Sequence, residues 1–555
     1  MRSERRIRRR QSSDSGLELP DDLPPLLQRI YRQRPLASAT ELERGLERML
    51  PLSALGGLEP AAELLHRTLE RQAPILVVAD FDADGATSCA LLVRGLRAMG
   101  ARRVGYLVPD RFRYGYGLTP EIVRVALERE PELLITVDNG ISSIDGVAAA
   151  RAAGVPVLVT DHHLPGAELP AADVIVNPNQ PGDRFPSKHL AGVGVVFYLL
   201  AALRGRLRGQ GWFARQGIAE PNLAERLDLV ALGTVADVVP LDHNNRILVH
   251  QGLQRIRAGR CVAGIRSLAE VAGRPLPRMV ASDLGFALGP RLNAAGRLED
   301  MAVGIECLLT DDPAIAMDLA RRLDGLNRQR REIEQTMQGQ ALEQVEGMLP
   351  DGELPYGLCL YRPDWHQGVI GILAARIRER WHRPVIACAP GEEEGSVKGS
   401  ARSIPGLHIR DVLDAVAARH PGLLEKFGGH AMAAGMSLRL DRLEAFSRAF
   451  DEEVRRHVGP EALEGVIHSD GPLQDDELDL AIAQRLRDAG PWGQAFPEPV
   501  FDGRFRIASR RVVGGRHLKL VLETDPGRRP VDAIAFNQAD PLPDEGALIH
   551  AAYRL

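Results

Sequence analysis

The chain has little cysteine: five residues among 555, at Cys89, Cys261, Cys307, Cys359 and Cys388, and none of them in a CxxC pair. That scarcity argues against a disulfide framework and against zinc knuckles, so a reducing cytoplasm is the expected compartment. No apolar run approaches the roughly 20 residues needed to span a bilayer, and no membrane association is expected. The opening residues, MRSERRIRRRQSSDSG, lack the apolar stretch of a secretory signal. Residues 1–19 are instead expected to form a disordered basic arm able to touch nucleic acid. An excess of positive charge is also missing. The net charge is -5, so any contact with phosphate has to come from local patches. Neither a 20 to 50 residue repeat nor a low-complexity linker is present.

What is there is an ordinary globular composition, 45% hydrophobic and 26% charged, in a chain too long for one core. Residues 20–72 carry short helical patterns, LPPLLQRIY and ATELERGLERML, with Ser38 or Thr40 as caps. From residue 73 to 310 the apolar segments PILVVAD, ELLITVD, VPVLVTD and ADVIVN alternate with helical stretches, which predicts a parallel α/β sheet. Residues 311–350 predict one long connecting helix capped by Asp311 or Asp312, with a break near Gly325 as the alternative. Its stripe is Ile315, Leu319, Leu323, Leu326, Ile333, Met337 and Val345. Residues 351–457 read as a smaller α/β domain, and residues 458–555 as a β-barrel of the oligonucleotide-binding type.

Three of the strands end in aspartate, at Asp80, Asp138 and Asp161, and open parallel sheets place their sites beyond the carboxyl ends of strands. VVADFDADGATS sets Asp80, Asp82 and Asp84 at alternate positions, so one segment can aim carboxylates at two ions. Oxygen ligands suit Mg²⁺ and Mn²⁺, and imidazole tilts the choice toward Mn²⁺. An acidic turn would look the same in isolation. TVDNGIS adds Asp138, VTDHHLPG adds His162 and His163, and DLVALGTVADVVPL carries Asp237 in surroundings where an unpaired charge is costly. Such a set fits phosphodiester hydrolysis between two ions.

Those four motifs, in this order, resemble the DHH phosphoesterase family. LAGVGVVFYLL, GPRLNAAGRLED, DWHQGVIGILAARI, KGSARSI and FGGHAMAAGM extend the similarity to its single-stranded-DNA-specific exonucleases, from about residue 20 nearly to the end. The resemblance implies two Mn²⁺ or Mg²⁺ ions held by Asp82, Asp84, Asp138, His162 and Asp237, with Asp138 bridging and His163 on the scissile phosphate or leaving group. Val78 stands where many members of the wider family have a histidine ligand, and Asp80 is the substitute. It further implies 5′-to-3′ digestion of single strands to mononucleotides in recombination and repair, with a single-strand-binding protein and a helicase as partners of a monomer.

For the strand itself, Arg291, Asn293 and Arg297 suit phosphate, and Lys398, Ser400, Arg402, Ser403, Gly429 and His430 suit a 5′-phosphate pocket in the smaller domain, called DHHA1 in this family. Trp365 and His366 are candidates for stacking a base. Arg504, Arg506, Arg510, Arg511 and Lys519 could follow a backbone along the barrel. The sequence stops at AAYRL, where the family's barrel continues, so an incomplete barrel is expected. Two other readings stay open: a phosphodiesterase of short oligonucleotides or cyclic dinucleotides, and a non-catalytic DNA-binding replication scaffold.

Overall fold

The aspartate-ending segments become adjacent strands of one sheet. The computed structural model describes residues 5–12, 16–110, 114–348, 354–524, 530–539 and 542–555. It divides into two units: residues 12–327 with 480–499, and residues 1–11 with 328–479 and 500–555. In the first, five strands lie in the order Val104–Leu107, Ile75–Ala79, Leu133–Val137, Val157–Thr160, Val174–Val176. Every pairing is parallel. The three inner strands are buried along their whole length, as a sheet covered on both faces requires. Leu76, Val78 and Leu134 pack with Ile122, Val123 and Val147 of the helices Pro120–Leu127 and Ile144–Ala152. Each such side chain contributes roughly 1.5–3 kcal/mol over its exposed state.

Two local expectations fail in this unit. LPPLLQRIY does form a helix, Pro25–Arg32, but ATELERGLERML forms two 3₁₀ turns, Ala39–Leu42 and Leu46–Arg48, separated by an extended Gly45. Tertiary bonds overrule its propensity: Arg246 Nη2 donates to the Glu41 carbonyl (3.1 Å) and Gln251 Nε2 to that of Arg44 (2.7 Å). Ser38 Oγ bonds Thr40 Oγ1 at 2.6 Å rather than capping a helix. The segment 480–499, expected within the terminal domain, instead belongs here. Tyr31 donates to the Ala489 carbonyl (2.9 Å), Arg34 to that of Pro497 (3.0 Å), and the Arg246 guanidinium lies 4.3 Å from the Phe496 ring centre.

The long helix is continuous from Pro313 to Gly347, and Asp312 Oδ1 accepts from the N–H groups of Ala314 and Ile315. Gly325 does not break it. Its buried stripe differs from the apolar one read from sequence. Ile315 is exposed, whereas Asn327, Arg330 and Glu334 are buried between Leu323 and Met337. Glu334 is satisfied by Arg330 and by Arg376 Nε at 3.0 Å.

The second unit holds a mixed sheet in the order Lys426–Gly429, Ala433–Arg439, Ser396–Arg402, Val385–Pro390, Leu358–Tyr361. Helices Ile409–Arg419 and Leu443–His457 close one face around Phe446 and Phe450. Nearer the C-terminus, Val531–Ala535, His517–Glu523, Phe501–Val513 and Leu548–Tyr553 form a four-stranded antiparallel sheet around Phe505, Ile507 and Leu520. The basic arm corrects another expectation. Residues 1–4 and 13–15 lie outside the described residues, but Arg5–Arg9 is a strand paired in parallel with Gly465–Ser469. It is held because Arg9 grips the buried Asp502 with Nε and Nη2 (3.0 and 2.9 Å), while Arg6 and Arg10 reach Glu464 and Asp470.

Arg9→Ala should leave the Asp502 carboxylate with Ser469 Oγ and His550 as its described donors. We expect a loss of about 1–3 kcal/mol in urea unfolding of the full chain. Its hydrogen bond to Arg9 holds the Asp502 carboxyl well below the usual range. That contribution is therefore present above the ordinary aspartate value of about 3.9 and fades as pH falls through the lower folded value.

Candidate metal centre

Sheet register assembles the centre. The Asp80 N–H donates to the Val137 carbonyl, that of Asp138 to Thr160, and that of Asp161 to Val176, so three aspartates leave neighbouring strands at one level. Asp138 does so with φ at +62°, a conformation that aspartate tolerates better than most residues and that turns its carboxylate along the sheet edge. After Asp80, Asp82 caps the helix Ala83–Ala98, its Oδ1 accepting from the N–H groups of Asp84 and Gly85. The first turn of this helix then aims Asp84 back at the strand ends.

Three overlapping sets of ligand atoms converge, each within 4.8 Å: Asp84, His162 and Asp237; Asp80, Asp82 and Asp138; and Asp138, His162 and His163. His162 Nε2 lies 3.1 Å from Asp138 Oδ1, 3.4 Å from Asp237 Oδ2 and 3.9 Å from Asp84 Oδ2. All seven sequence-predicted ligands and catalytic candidates therefore meet in one place, Asp80 among them. Burial, then the charges of neighbouring carboxylates, pushes Asp138 and Asp237 well above the usual carboxylate range and Asp84 up to about 7. Asp138 Oδ1 is buried and accepts no hydrogen bond among the described residues. Crowded acids with an unused buried oxygen, supplemented by imidazole, fit hard divalent cations, which need oxygen donors and discharge the repulsion.

Sequence reasoning missed several groups that hold this arrangement. The first two N–H groups of the helix Gly192–Gly209 bind the Asp84 carboxylate, Gly192 to Oδ2 at 2.7 Å and Val193 to Oδ1 at 3.0 Å. A helix N-terminus favours such an anion. Gly192 must also lack a side chain, since a Cβ there would lie 2.7 Å from Asp138 Oδ1 and 2.8 Å from its Cβ. The only hint in sequence is a glycine opening an apolar helix. Asp161 is a buried clamp. Its Oδ1 accepts from the N–H groups of His162 and His163 and lies 2.7 Å from His163 Nδ1, and its Oδ2 accepts from the Ile141 N–H. Burial works against a charge on His163, but the bond and charge of Asp161 prevail and raise its pKa to about 9. Tyr116 sets its ring edge-on to His163.

The predicted strand-binding residues divide. Asn293 turns inward, its Oδ1 accepting from the Ala83 N–H at 2.7 Å, and so braces the Asp80–Asp84 turn. Arg291 corrects the phosphate reading: it is buried, with Nε and Nη2 on Asp324 (3.0 and 2.8 Å) and Nη1 on the Ala287 carbonyl (2.6 Å). Arg297 is half-buried on the same helix, Gly289–Leu298. In the other unit, Ser403 is also corrected, because it is buried with its hydroxyl on the Leu407 carbonyl. Trp365 does not stack a base. It is buried, its Nε1 donating to Gln340, and His366 caps the helix Gln367–Trp381. Ser400 and Arg402 converge beside Gly371 in the first turns of that helix, where a Cβ would lie 2.9 and 2.8 Å from them. Arg402 Nη1 reaches the Ser400 hydroxyl and the Ala401 carbonyl, and burial lowers its pKa. Lys398 and His430 are exposed, and Gly429, at φ +143°, sits where a Cβ would collide with the Ala433 carbonyl. Of the terminal sheet's cations, Arg504 and Arg511 are exposed, Arg506 and Arg510 donate to the carbonyls of Gly546 and Pro543, and Lys519 faces Asp532.

Gly192→Ala should displace the Asp138 carboxylate and weaken Mn²⁺ binding in calorimetry by about 10–100-fold while the thermal unfolding transition persists.

Comparison with known proteins agrees with this geometry. Residues 74–234 match the DHH family N-terminal domain, 355–456 the DHHA1 domain and 469–555 the RecJ OB domain. The chain is 56% identical to the single-stranded-DNA-specific exonuclease RecJ of Salmonella typhimurium, over 100% of this chain and 96% of that protein. The same figure holds for RecJ of Escherichia coli, over 99% and 95%. The crystal structure of Thermus thermophilus RecJ in complex with Mn²⁺ superposes with a TM-score of 0.77 at 32% identity, covering 96% of this chain and 75% of that one. The chain belongs to the RecJ family of DHH proteins.

Proposed function

We infer that this chain is a divalent-cation-dependent, single-stranded-DNA-specific exonuclease. The observation that carries the reading is the convergence of Asp80, Asp82, Asp84, Asp138, Asp237 and His162 at the carboxyl edge of the parallel sheet. RecJ crystal structures contain Mn²⁺ and Mg²⁺, and the donor set here suits two such ions. Asp84, His162 and Asp237 would hold one, Asp80 and Asp82 the other, with Asp138 between them. Bound there, the ions supply a hydroxide at neutral pH and neutralise charge on the phosphate.

The chain's own residues do the rest. The N-terminus of the helix Gly192–Gly209 favours the charged form of Asp84 against its burial and aims the carboxylate. Asp161 fixes His163 with its protonated ring facing the centre, where it can donate to a phosphate oxygen or to the leaving oxygen. Ser400, Arg402 and the first turns of Gln367–Trp381 make a cradle for a terminal 5′ phosphate. Arg402 suits that role because its described acceptors, a hydroxyl and a carbonyl, leave its charge without a carboxylate. Gly429 and His430 can add backbone and imidazole donors, and Arg297 and the exposed Arg504 and Arg511 can follow the backbone. We assign to this chain digestion 5′ to 3′ with release of mononucleotides, in recombination and repair. We assign it to the cytoplasm as a monomer working with a single-strand-binding protein and a helicase. Among the described residues no helix is long and apolar enough to cross a membrane.

The test is digestion of a 5′-labelled single strand, a blunt duplex and a dinucleotide. Mn²⁺ should support mononucleotide release from the single strand, and chelation should stop it. Equal rates on the blunt duplex would refute single-strand specificity, and a preference for the dinucleotide would favour a short-oligonucleotide phosphodiesterase. Asp138→Ala should lower kcat by about a thousandfold or more with folding intact. Arg402→Ala should raise KM for 5′-phosphorylated strands and leave that for 5′-hydroxyl strands nearly unchanged.

A further inference from the structure

Next to Asp237 the backbone adopts two uncommon conformations, and each presents an apolar side chain to solvent. Val238 follows the ligand directly, has φ at +61°, and is 63% exposed. A β-branched residue in this region is strained, and such strain persists where the surroundings impose it. Residues Leu284–Leu288 form a π-helical turn, a geometry that recurs at functional sites, and Phe286 at its centre is 80% exposed. Two glycines bring this turn against the ligand's own helix. A Cβ at Gly285 would lie 3.2 Å from Val235 Cγ1, and one at Gly289 would lie 3.0 Å from the Ala236 Cβ. Val235 and Ala236 are the last residues before Asp237 in the helix Leu227–Ala236. The exposed Phe286 therefore sits on a turn that packs, in the same unit, against the two residues preceding Asp237, on the neighbouring segment to Val238.

Single exposed apolar residues are ordinary, but here one of the two is held in a strained backbone directly after Asp237, and the other stands on a turn packed against the residues before that aspartate. A ligand that has a phosphate in the centre and an unstacked flat base beside it would cover both. Only a single strand offers that base, since a duplex keeps its bases stacked and paired. We propose that Phe286 and Val238 form a ledge on which the nucleobase adjoining the scissile phosphate of a single DNA strand stacks, so that they are specificity-determining residues for the reaction. The proposal rests on the exonuclease reading and supplies a physical basis for single-strand preference that the phosphate contacts cannot provide. Base–aromatic stacking tolerates every base because each has a π face.

The experiment compares the full-length protein and Phe286→Ala on two 5′-phosphorylated single strands, one normal and one abasic at the terminal nucleotides. Wild type is expected to digest the normal strand with a KM roughly 5–100-fold below that for the abasic one, the range a stacked base supports. Phe286→Ala should raise KM for the normal strand by a similar factor, change kcat little, and have no further effect on the abasic strand. Phe286→Trp should restore KM. Val238→Gly should raise KM as well without lowering the thermal midpoint, because it removes the strained side chain. An equal loss on both strands, or no loss on the normal one, would overturn the ledge, as would a Phe286→Ala defect traced to weaker Mn²⁺ binding. If wild type fails to digest the normal strand at all, the exonuclease reading fails instead, so the two failures are distinguishable.

Discussion

Mutual repulsion among buried carboxylates is the constraint on which the rest of the catalytic unit depends. Asp84, Asp138 and Asp237 lie around His162 within 4 Å of its Nε2, and each is pushed upward in pKa by burial and by its neighbours. A chain left to itself would spread these charges apart. It is prevented from doing so by covalent placement at strand ends whose register is fixed by buried ladders on both sides. The fold therefore stores unfavourable electrostatics that divalent cations can discharge, and stability and metal affinity are coupled through the same residues.

Holding the cluster needs supports that are mostly backbone. The helix Gly192–Gly209 contributes two N–H groups to Asp84 and, by having glycine first, leaves room for Asp138. Asn293 ties the turn that carries Asp80, Asp82 and Asp84 to a helix some two hundred residues further along, through the Ala83 N–H. Gly296 permits the same helix to approach the Phe81 carbonyl. Asp161 organises both histidines. These contacts explain why a motif rich in glycine and small residues surrounds chemistry done by acids: close backbone approach is what the carboxylates require.

The second unit is built to different demands. Its arginines are largely committed to carboxylates and carbonyls, as Arg9 is to Asp502 and Arg376 to Glu334. Arg402 has a hydroxyl and a carbonyl as its described acceptors, and Lys398, Arg504 and Arg511 are exposed. The basic N-terminus, which composition alone suggests as a free arm, is consumed over Arg5–Arg9 by pairing with Gly465–Ser469.

Strand ends, the candidate metal ligands and the long helix were legible in the sequence because each depends on local pattern. Apolar runs closed by aspartate, a charge inside DLVALGTVADVVPL, and 35 residues without an internal proline after the first leave few local alternatives. The resemblance to a known family added the reaction and the assignment of roles. What sequence could not decide were features made by pairs of distant segments. Arg291 and Ser403 looked like phosphate donors, but acceptors elsewhere in the fold had already taken them. Trp365 looked available and is buried. The segment 480–499 joined the unit of Tyr31 and Arg246 rather than its sequence neighbours. Sequence by itself determined which residues could bind metal and which elements would carry them, because ligand chemistry and hydrophobic period are local. Tertiary structure alone decided that Asp84 is clamped by Gly192 and Val193, that Asp161 accepts from the Ile141 N–H, and that the turn Leu284–Leu288 packs against Val235 and Ala236, because each is a contact between distant segments that no local preference encodes.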